Sequence, residues 1–270
     1  MSASKKIIFY HGGPGLNANP EHNLLAGFYS QNGLELCTWN EPSLLRPQHD
    51  PFREENAYAR YLESAERFLV QHYTGTPLIV MAHSYGAHAA GTFLKSHVEK
   101  VAAVVLTAPG FDASKVDRNI FRLIAQDYLA HDDHERGKEM EQILAAFTGN
   151  FDENTERGWM LALENPRLFN YYWFNTEKAQ AYLQHFAPPE YTVDTQSFFA
   201  VRRTSYAAPA ENCDLKTLVF YGKHDRVLPD ETGDIAARFP DHRTMTLEQS
   251  GHYPHIEEAE RVLSAIKDFI

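Results

Sequence analysis

Residues 77 to 93 read PLIVMAHSYGAHAAGTF, and this stretch decides the fold. Residues 78 to 81 are apolar without alternation, which is typical of a strand covered on both faces in a parallel sheet. Small side chains are frequent from Ala82 to Gly91, and they let a helix begin almost on top of the strand. The stretch therefore predicts a strand that turns directly into a helix, with Ser84 at the corner.

A turn of this kind holds its central residue in a strained conformation and points the side chain out of the sheet. The five residues Ala82-His83-Ser84-Tyr85-Gly86 match the G-x-S-x-G pattern of a nucleophile elbow, with alanine in place of the first glycine. An ordinary strand-helix junction can show the same features. The role of Ser84 therefore depends on what the rest of the chain places beside it.

Apolar runs alternate with helical patterns along most of the chain, and this alternation predicts a parallel sheet with helices on both faces. Besides the elbow strand, the predicted strands are residues 6–10, 34–39, 101–106, 216–221 and 243–247. Predicted helices cover 53–69 and 235–239, together with one that has Asn19 at its N-cap and is closed by Asn32-Gly33. Residues 1–110 and 206–270 are therefore predicted to form one α/β core.

Residues 111 to 205 contain helical stretches and no strand-like apolar run, so we expect a mostly helical insertion. Its predicted helices cover 120–129, 140–147, 159–163 and 177–186. An aromatic cluster lies within it, and Tyr171, Tyr172 and Trp173 are the predicted substrate contacts. We expect this insertion to set specificity, while the reactive groups all lie on the sheet.

The composition narrows the class of partner. The chain has 25 Lys and Arg against 36 Asp and Glu, and a formal net charge of -11, which disfavours nucleic acid and anionic membranes. Only two cysteines are present, and residues 1 to 10 hold too short an apolar stretch for a signal peptide or a membrane span. We therefore expect a cytoplasmic protein with a small-molecule substrate.

Residues 131 to 135 read HDDHE and look superficially like metal ligands. Charge runs of this kind are usually solvated faces, and no closed set of four ligands at a known spacing accompanies them. We therefore predict no metal site and no cofactor.

Three residues that can carry chemistry follow predicted strands, in the order Ser84, Asp225 and His252. A serine hydroxyl needs a base within hydrogen-bond reach and a carboxylate that fixes the tautomer of that base. Because the carboxyl ends of parallel strands share one edge of a sheet, we expect these three residues to meet there as a catalytic triad. Asp112, which follows the strand at 101–106, is the alternative acid.

With these residues the chain resembles the α/β-hydrolase superfamily, whose members carry the triad in this order. Residues 11–15 (HGGPG) are similar to the loop of proline iminopeptidases and related hydrolases, 222–229 to the family's acid loop, and 250–252 to its histidine loop. The resemblance implies a serine hydrolase in which residues 111 to 205 form the cap. It also implies an oxyanion hole made by the backbone N–H groups of Gly13 and Tyr85, with Gly12 as the alternative first donor.

The chain departs from the family pattern in two places. Only ten residues precede His11, where family members usually have two further strands. We therefore expect a doubly wound, all-parallel sheet of six strands with residues 34–39 at one edge. Ala82-His83 stands where iminopeptidases tend to have glycines, and this favours hydrolysis of a small ester or amide through an acyl-enzyme.

Two other functions stay open. A proline iminopeptidase would need carboxylates in the cap to bind the substrate amine, for which Glu164, Glu177, Glu190 and Asp194 are candidates. The second alternative is a ligand-binding protein that kept the fold and lost turnover. A complete triad argues against it.

Overall fold

Six parallel strands form one open sheet in the order β2-β1-β3-β4-β5-β6. The computed structural model describes residues 5–41, 56–186, 195–205, 213–229, 235 and 237–270. The strands are β1 (Lys5–Tyr10), β2 (Leu34–Trp39), β3 (Leu78–His83), β4 (Val101–Thr107), β5 (Thr217–Gly222) and β6 (His242–Leu247). The prediction of a six-stranded, all-parallel sheet with residues 34–39 at one edge is confirmed.

Helices connect the strands and cover both faces of the sheet. They are α1 (Asn19–Gln31), α2 (Ala57–His72), α3 (Tyr85–Phe93), α4 (Ala113–Ala130), α5 (His134–Ala146), α6 (Glu153–Glu164), α7 (Thr176–Phe186), α8 (Thr195–Ser205), α9 (Pro254–Glu257) and α10 (Ala259–Phe269). Two 3₁₀ segments lie at Leu94–Lys100 and Leu168–Tyr172.

The two faces of the sheet bury separate hydrophobic clusters. One contains Val80 and Leu106 with side chains from α2, α3 and α8, such as Tyr61 and Val201. The other contains Met81 and Phe220 with side chains from α1, α7 and α10, such as Tyr182. Strands buried on both faces are what an apolar run without alternation predicts, and the strand LIVMAH of β3 is buried at every position.

The helices between β4 and β5 pack around a third cluster, which includes Phe121, Ile143 and Trp159. Three aspartates begin these helices: Asp112 accepts backbone N–H groups of α4, Asp133 of α5 and Asp152 of α6. Such caps satisfy N–H groups that have no partner inside the helix. They extend α4, α5 and α6 toward their N-termini beyond the stretches expected from apolar spacing.

Helix α8 was not predicted, because its apolar residues 198 to 201 are consecutive and lack helical spacing. Helix α1 begins at Asn19, with Ala18 and not Asn19 at the capping position, and Gly33 after it has a φ of 78°. Residues 53–55 of one predicted helix, and residue 236 of the predicted helix 235–239, lie outside the described residues. The division into a core and a cap at residues 111 to 205 stays a prediction. In the described part of the chain, no helix is both long and apolar enough to cross a membrane.

Candidate active site

The turn between β3 and α3 places Ser84 in a strained conformation, with φ 49° and ψ -120°. Its backbone is held from both sides, since Ser84 N–H donates to Thr107 O (3.0 Å) and Ser84 O accepts from Gly110 N (3.2 Å). A Cβ at Gly86 would lie 2.5 Å from His11 O, so only glycine lets α3 start this close to the end of β1. The sequence pattern therefore produces the expected sharp corner.

Ser84, His252 and Asp225 form a continuous hydrogen-bonded chain. His252 Nε2 lies 3.0 Å from Ser84 Oγ, and His252 Nδ1 lies 2.8 Å from Asp225 Oδ2. Both are hydrogen-bond distances, as expected when a carboxylate orients a base toward a nucleophile. With the proton on Nδ1 donated to Asp225, Nε2 is free to accept the hydroxyl hydrogen of Ser84. The structure brings the three predicted residues together at the carboxyl ends of β3, β5 and β6.

Asp225 is itself held in place by its own loop. Its Oδ1 atom accepts the backbone N–H groups of Val227 (2.9 Å) and Leu228 (3.1 Å), which leaves Oδ2 for the histidine. The alternative acid, Asp112, instead uses Oδ1 to cap α4 through Ser114 N (3.0 Å) and Lys115 N (3.1 Å). The geometry therefore favours Asp225 as the partner of His252.

The loop that carries His252 is packed against residues 172 to 175. His252 N–H donates to Tyr172 O at 2.7 Å, and a Cβ at Gly251 would lie 2.7 Å from the same carbonyl oxygen. Glu257, which is buried at the end of α9, accepts Gly251 N on one carboxylate oxygen (2.7 Å). Its other oxygen accepts Phe174 N (2.9 Å) and Asn175 N (2.7 Å). Sequence analysis did not identify Glu257, because its contacts are remote in sequence.

Replacing Glu257 by glutamine is expected to lower the free energy of unfolding by about 1–3 kcal/mol. Either amide orientation turns an N–H donor toward a backbone N–H and leaves a buried donor unsatisfied. Urea unfolding measures the loss, with Glu260→Gln at an exposed position of α10 as the control. Equal stability of the two variants would show that the hydrogen bonds of the Glu257 carboxylate contribute nothing to the free energy of unfolding.

The loop 11–15 approaches Ser84 closely. A Cβ at Gly12 would lie 2.8 Å from His83 Cδ2 and 3.1 Å from Ser84 Cβ, and Gly13 has a φ of 70°, so both positions require glycine. Glu41 is fully buried and accepts Gly15 N on Oε2 at 2.9 Å, which anchors the far end of the loop. The position of Glu41 outside any motif explains why it was missed.

Tyr85, predicted as an oxyanion donor, is the first residue of α3, and the first N–H groups of a helix have no acceptor within it. Gly12, Gly13 and Tyr85 line the same cavity as Ser84. The structure therefore places the two predicted donors and the alternative one in the same cavity as Ser84.

A cavity of about 340 Å³ opens above Ser84, and its wall is predominantly apolar. Helices α4, α6, α7 and α8 contribute apolar side chains to the wall, among them Val116, Ile120, Trp159, Leu163, Leu183 and Phe198. Leu163 and Leu183 are 40% and 45% exposed, which places them at its mouth. An apolar cavity with a few convergent polar groups is the usual form of a small-molecule site.

Of the three aromatic residues predicted to contact a substrate, Tyr172 lines the cavity, and its ring centroid lies 5.2 Å from that of His252. Tyr171 and Trp173 do not line it. The Tyr171 hydroxyl donates to Asp127 Oδ1 at 2.7 Å, and Trp173 stacks on Tyr253 at 4.3 Å. Both rings therefore pack against other residues. The density of aromatic residues in the sequence does not show which of them line the cavity.

Of the carboxylates proposed for binding an amine, Glu164 and Glu177 do not line the cavity. Glu164 is half exposed and 3.7 Å from Arg136 Nε, and Glu177 is exposed in the first turn of α7. Glu190 and Asp194 lie outside the described residues. The carboxylate that does line the cavity is Asp117, which sequence analysis did not single out.

Within residues 131 to 135, Asp133 stabilises the start of a helix. Asp133 caps α5 and pairs with Arg136, with 2.8 Å between Asp133 Oδ2 and Arg136 Nη1. Throughout the described ranges, no group of three or more His, Cys, Asp and Glu side chains is placed to hold a metal ion.

Several histidines near the site are buried. Burial lowers the pKa of His83, and the neighbouring His255 and His252 lower it further. The Nδ1 atom of His83 donates to Thr107 O at 2.9 Å. Burial, with the charges of Arg238 and Arg202, lowers the pKa of His88 to about 4, and His88 Nδ1 lies 2.8 Å from the Tyr58 hydroxyl.

The lowered pKa of His88 makes stability depend on pH. Below about pH 6.5 the unfolded chain takes up a proton at His88, whereas the folded protein does so only near pH 4, so unfolding becomes easier as the pH falls. We expect His88→Asn to remove up to about 2 kcal/mol of the stability loss between pH 7 and 5. Urea unfolding at both pH values tests this, with exposed His134→Asn as the control. Identical pH dependence in wild type and His88→Asn would contradict the expectation.

An open parallel sheet whose carboxyl edge carries a serine on a strand-helix corner, an aspartate and a histidine defines the α/β-hydrolase fold. The family model described as alpha/beta hydrolase fold matches residues 6–259, and the chain therefore belongs to this family.

Individual relatives are distant. The chain is 21% identical over 285 residues to a proline iminopeptidase of Heyndrickxia coagulans, covering 98% of this chain and 90% of the other. A proline iminopeptidase-related protein from Thermus thermophilus superposes with a TM-score of 0.67 at 16% identity, covering 98% of this chain and 88% of the other. An esterase from Exiguobacterium antarcticum superposes with a TM-score of 0.62 at 14% identity, covering 100% and 92%. At such identities the structural likeness concerns the fold.

Proposed function

We propose that the protein is a serine hydrolase that cleaves a small carboxylic ester or amide through an acyl-enzyme on Ser84. The observation that carries this proposal is the hydrogen-bonded chain from Asp225 through His252 to Ser84, at the floor of an apolar cavity. The neighbours with known activities include both an esterase and proline iminopeptidase-like proteins, so they support the class of reaction and leave the substrate open.

The proposed reaction begins when Ser84 Oγ attacks the carbonyl carbon of the substrate, while His252 Nε2 takes the hydroxyl proton. Asp225 stabilises the imidazolium that forms. The negative oxygen of the tetrahedral intermediate accepts hydrogen bonds from the backbone N–H of Tyr85 and that of Gly13 or Gly12, each worth about 2.7–4 kcal/mol.

Collapse of this intermediate breaks the bond to the leaving group, which receives the proton from His252. A water molecule then gives a proton to His252 and attacks the acyl-serine, and a second collapse returns the proton to Ser84 Oγ and releases the carboxylic acid. The apolar walls hold the acyl group and exclude bulk water, and Tyr172 is an aromatic contact beside the base, with 5.2 Å between the two ring centroids.

Removing the nucleophile tests the chemistry directly. Ser84→Ala is expected to lower kcat for p-nitrophenyl butyrate by a factor on the order of 10⁶, by analogy with another serine hydrolase triad. A fluorophosphonate probe should label the wild type and not Ser84→Ala. Labelling that persists in the variant would refute the assignment, and a wild type that is neither labelled nor active would support the ligand-binding alternative.

The two candidate acids are compared in matched variants. Asp225→Asn should lower kcat by a factor on the order of 10⁴, because the amide supports the wrong tautomer of His252. Asp112→Asn should leave kcat within about twofold, since its carboxylate caps a helix. Rates with p-nitrophenyl butyrate measure both, and a larger loss in Asp112→Asn would reverse the assignment.

A proline iminopeptidase is the second candidate, because the relative from Heyndrickxia coagulans carries that activity in its name. An N-terminal substrate brings a cationic amine, which must be desolvated and paired with a carboxylate inside the site. In the described part of the chain, Glu164 and Glu177 do not line the cavity, and its one carboxylate, Asp117, is bonded to Arg202. This arrangement favours the esterase.

A pair of prolyl substrates separates the two functions. We expect kcat/KM for short p-nitrophenyl esters to exceed that for proline p-nitroanilide by at least about tenfold. Because activated esters react more easily, the control compares prolyl-β-naphthylamide with its N-acetylated form. Cleavage of the free amine, rejection of the acetylated form and loss of activity in Ser84→Ala would establish the iminopeptidase instead.

A further inference from the structure

The wall of the cavity contains an ion pair between helices α4 and α8. Arg202 Nη2 on α8 donates to Asp117 Oδ1 on α4. The two side chains are only 6% and 0% exposed. They are the one guanidinium and the one carboxylate among the described residues that line the cavity.

Aromatic rings fix the position of this pair. The Arg202 guanidinium lies 5.8 Å from the ring of Tyr85 and 5.9 Å from the rings of Trp159 and Phe198. Tyr85 directly follows the nucleophile, and its hydroxyl donates to Ser205 Oγ on α8 at 2.7 Å. The charged pair therefore lies beside the side chain that follows Ser84 in sequence, and it joins α4 to α8 in the cavity wall.

A charge that enters an apolar cavity must find an opposite charge or hydrogen bonds there. In this wall Asp117 and Arg202 already neutralise each other. A substrate amine would compete with Arg202 for Asp117, and a substrate carboxylate would compete with Asp117 for Arg202. Either exchange breaks this buried ion pair, which is strongly unfavourable.

We infer that the Asp117–Arg202 pair determines specificity by admitting uncharged acyl groups and excluding acyl groups that carry an amine or a carboxylate. The inference rests on the proposed function, since it concerns acyl groups delivered to Ser84. It names the substrate class as esters or amides of neutral carboxylic acids. The same pair explains how a chain with iminopeptidase relatives would be unable to use an N-terminal amine.

Three p-nitrophenyl esters with acyl chains of similar length test the inference. They are the pentanoate, which is neutral, the glutarate monoester, which is anionic, and the 4-(trimethylammonio)butanoate, which is cationic. The leaving group is common to all, and kcat/KM is divided by the rate of alkaline hydrolysis to remove intrinsic reactivity. The wild type is expected to prefer the neutral ester to each charged ester by at least about tenfold.

Each single variant neutralises one member of the pair and leaves the charge of the other. Asp117→Asn leaves the charge of Arg202 and should raise the glutarate-to-pentanoate ratio at least about tenfold. Arg202→Gln leaves the charge of Asp117 and should raise the trimethylammonio-to-pentanoate ratio by a similar factor. The double variant pairs two neutral amides and should return both ratios toward the wild-type values, which a purely structural role does not predict.

The inference is overturned if the wild type prefers a charged ester, or if the single variants change all three esters by one common factor. These ratios do not depend on the folded fraction, because the three esters meet the same active sites. If both single variants fail to fold, the wild-type preference and the double variant still decide. Failure of the proposed function is a separate result, namely ester hydrolysis that survives in Ser84→Ala.

Discussion

The structure depends on the backbone conformation of Ser84, which holds a positive φ of 49° between a fully buried strand and a helix. A conformation of this kind costs about 1–3 kcal/mol and persists only where neighbours enforce it. Thr107 and Gly110 hold the two backbone polar groups of Ser84, and Gly86 lets α3 lie against the carbonyl groups that end β1. The strain therefore exposes one hydroxyl at the edge of the sheet, where other loops can reach it.

Of Ser84, His252 and Asp225, the histidine follows the strand that lies farthest from the strand before Ser84. Between β3 and β6 stand β4 and β5, so the loop after β6 must reach back across the sheet edge to Ser84. Residues of the helical segment support that reach, because Tyr172 O accepts His252 N–H and Glu257 joins the histidine loop to Phe174. Besides the specificity that we expect this segment to set, its backbone therefore also holds the loop that carries His252.

Local sequence patterns predicted the six strands and the sharp turn at Ser84, and they singled out Ser84, Asp225 and His252 because each comes soon after a predicted strand. They were insufficient where a partner lies far along the chain. Asp117 and Arg202 are 85 residues apart, and Glu257 and Phe174 are 83 apart, so neither pairing has a local signal. The aromatic cluster presents a different difficulty. Adjacent rings in and after the 3₁₀ segment Leu168–Tyr172 point in different directions. Only side-chain geometry shows that Tyr172 lines the cavity whereas its neighbours do not.

Fold and family membership leave the substrate undetermined, because one scaffold carries many activities and the site decides among them. The groups that we propose to react, Ser84, His252 and Asp225, would serve an esterase and an iminopeptidase alike, whereas the cavity wall is where the two would have to differ. An iminopeptidase has to offer a carboxylate to an amine, and the carboxylate in this wall is already engaged by a guanidinium held among aromatic rings. Removing that guanidinium would take its ion-pair partner from a buried carboxylate in the cavity wall, so one substitution in the sequence is a large electrostatic change in the wall.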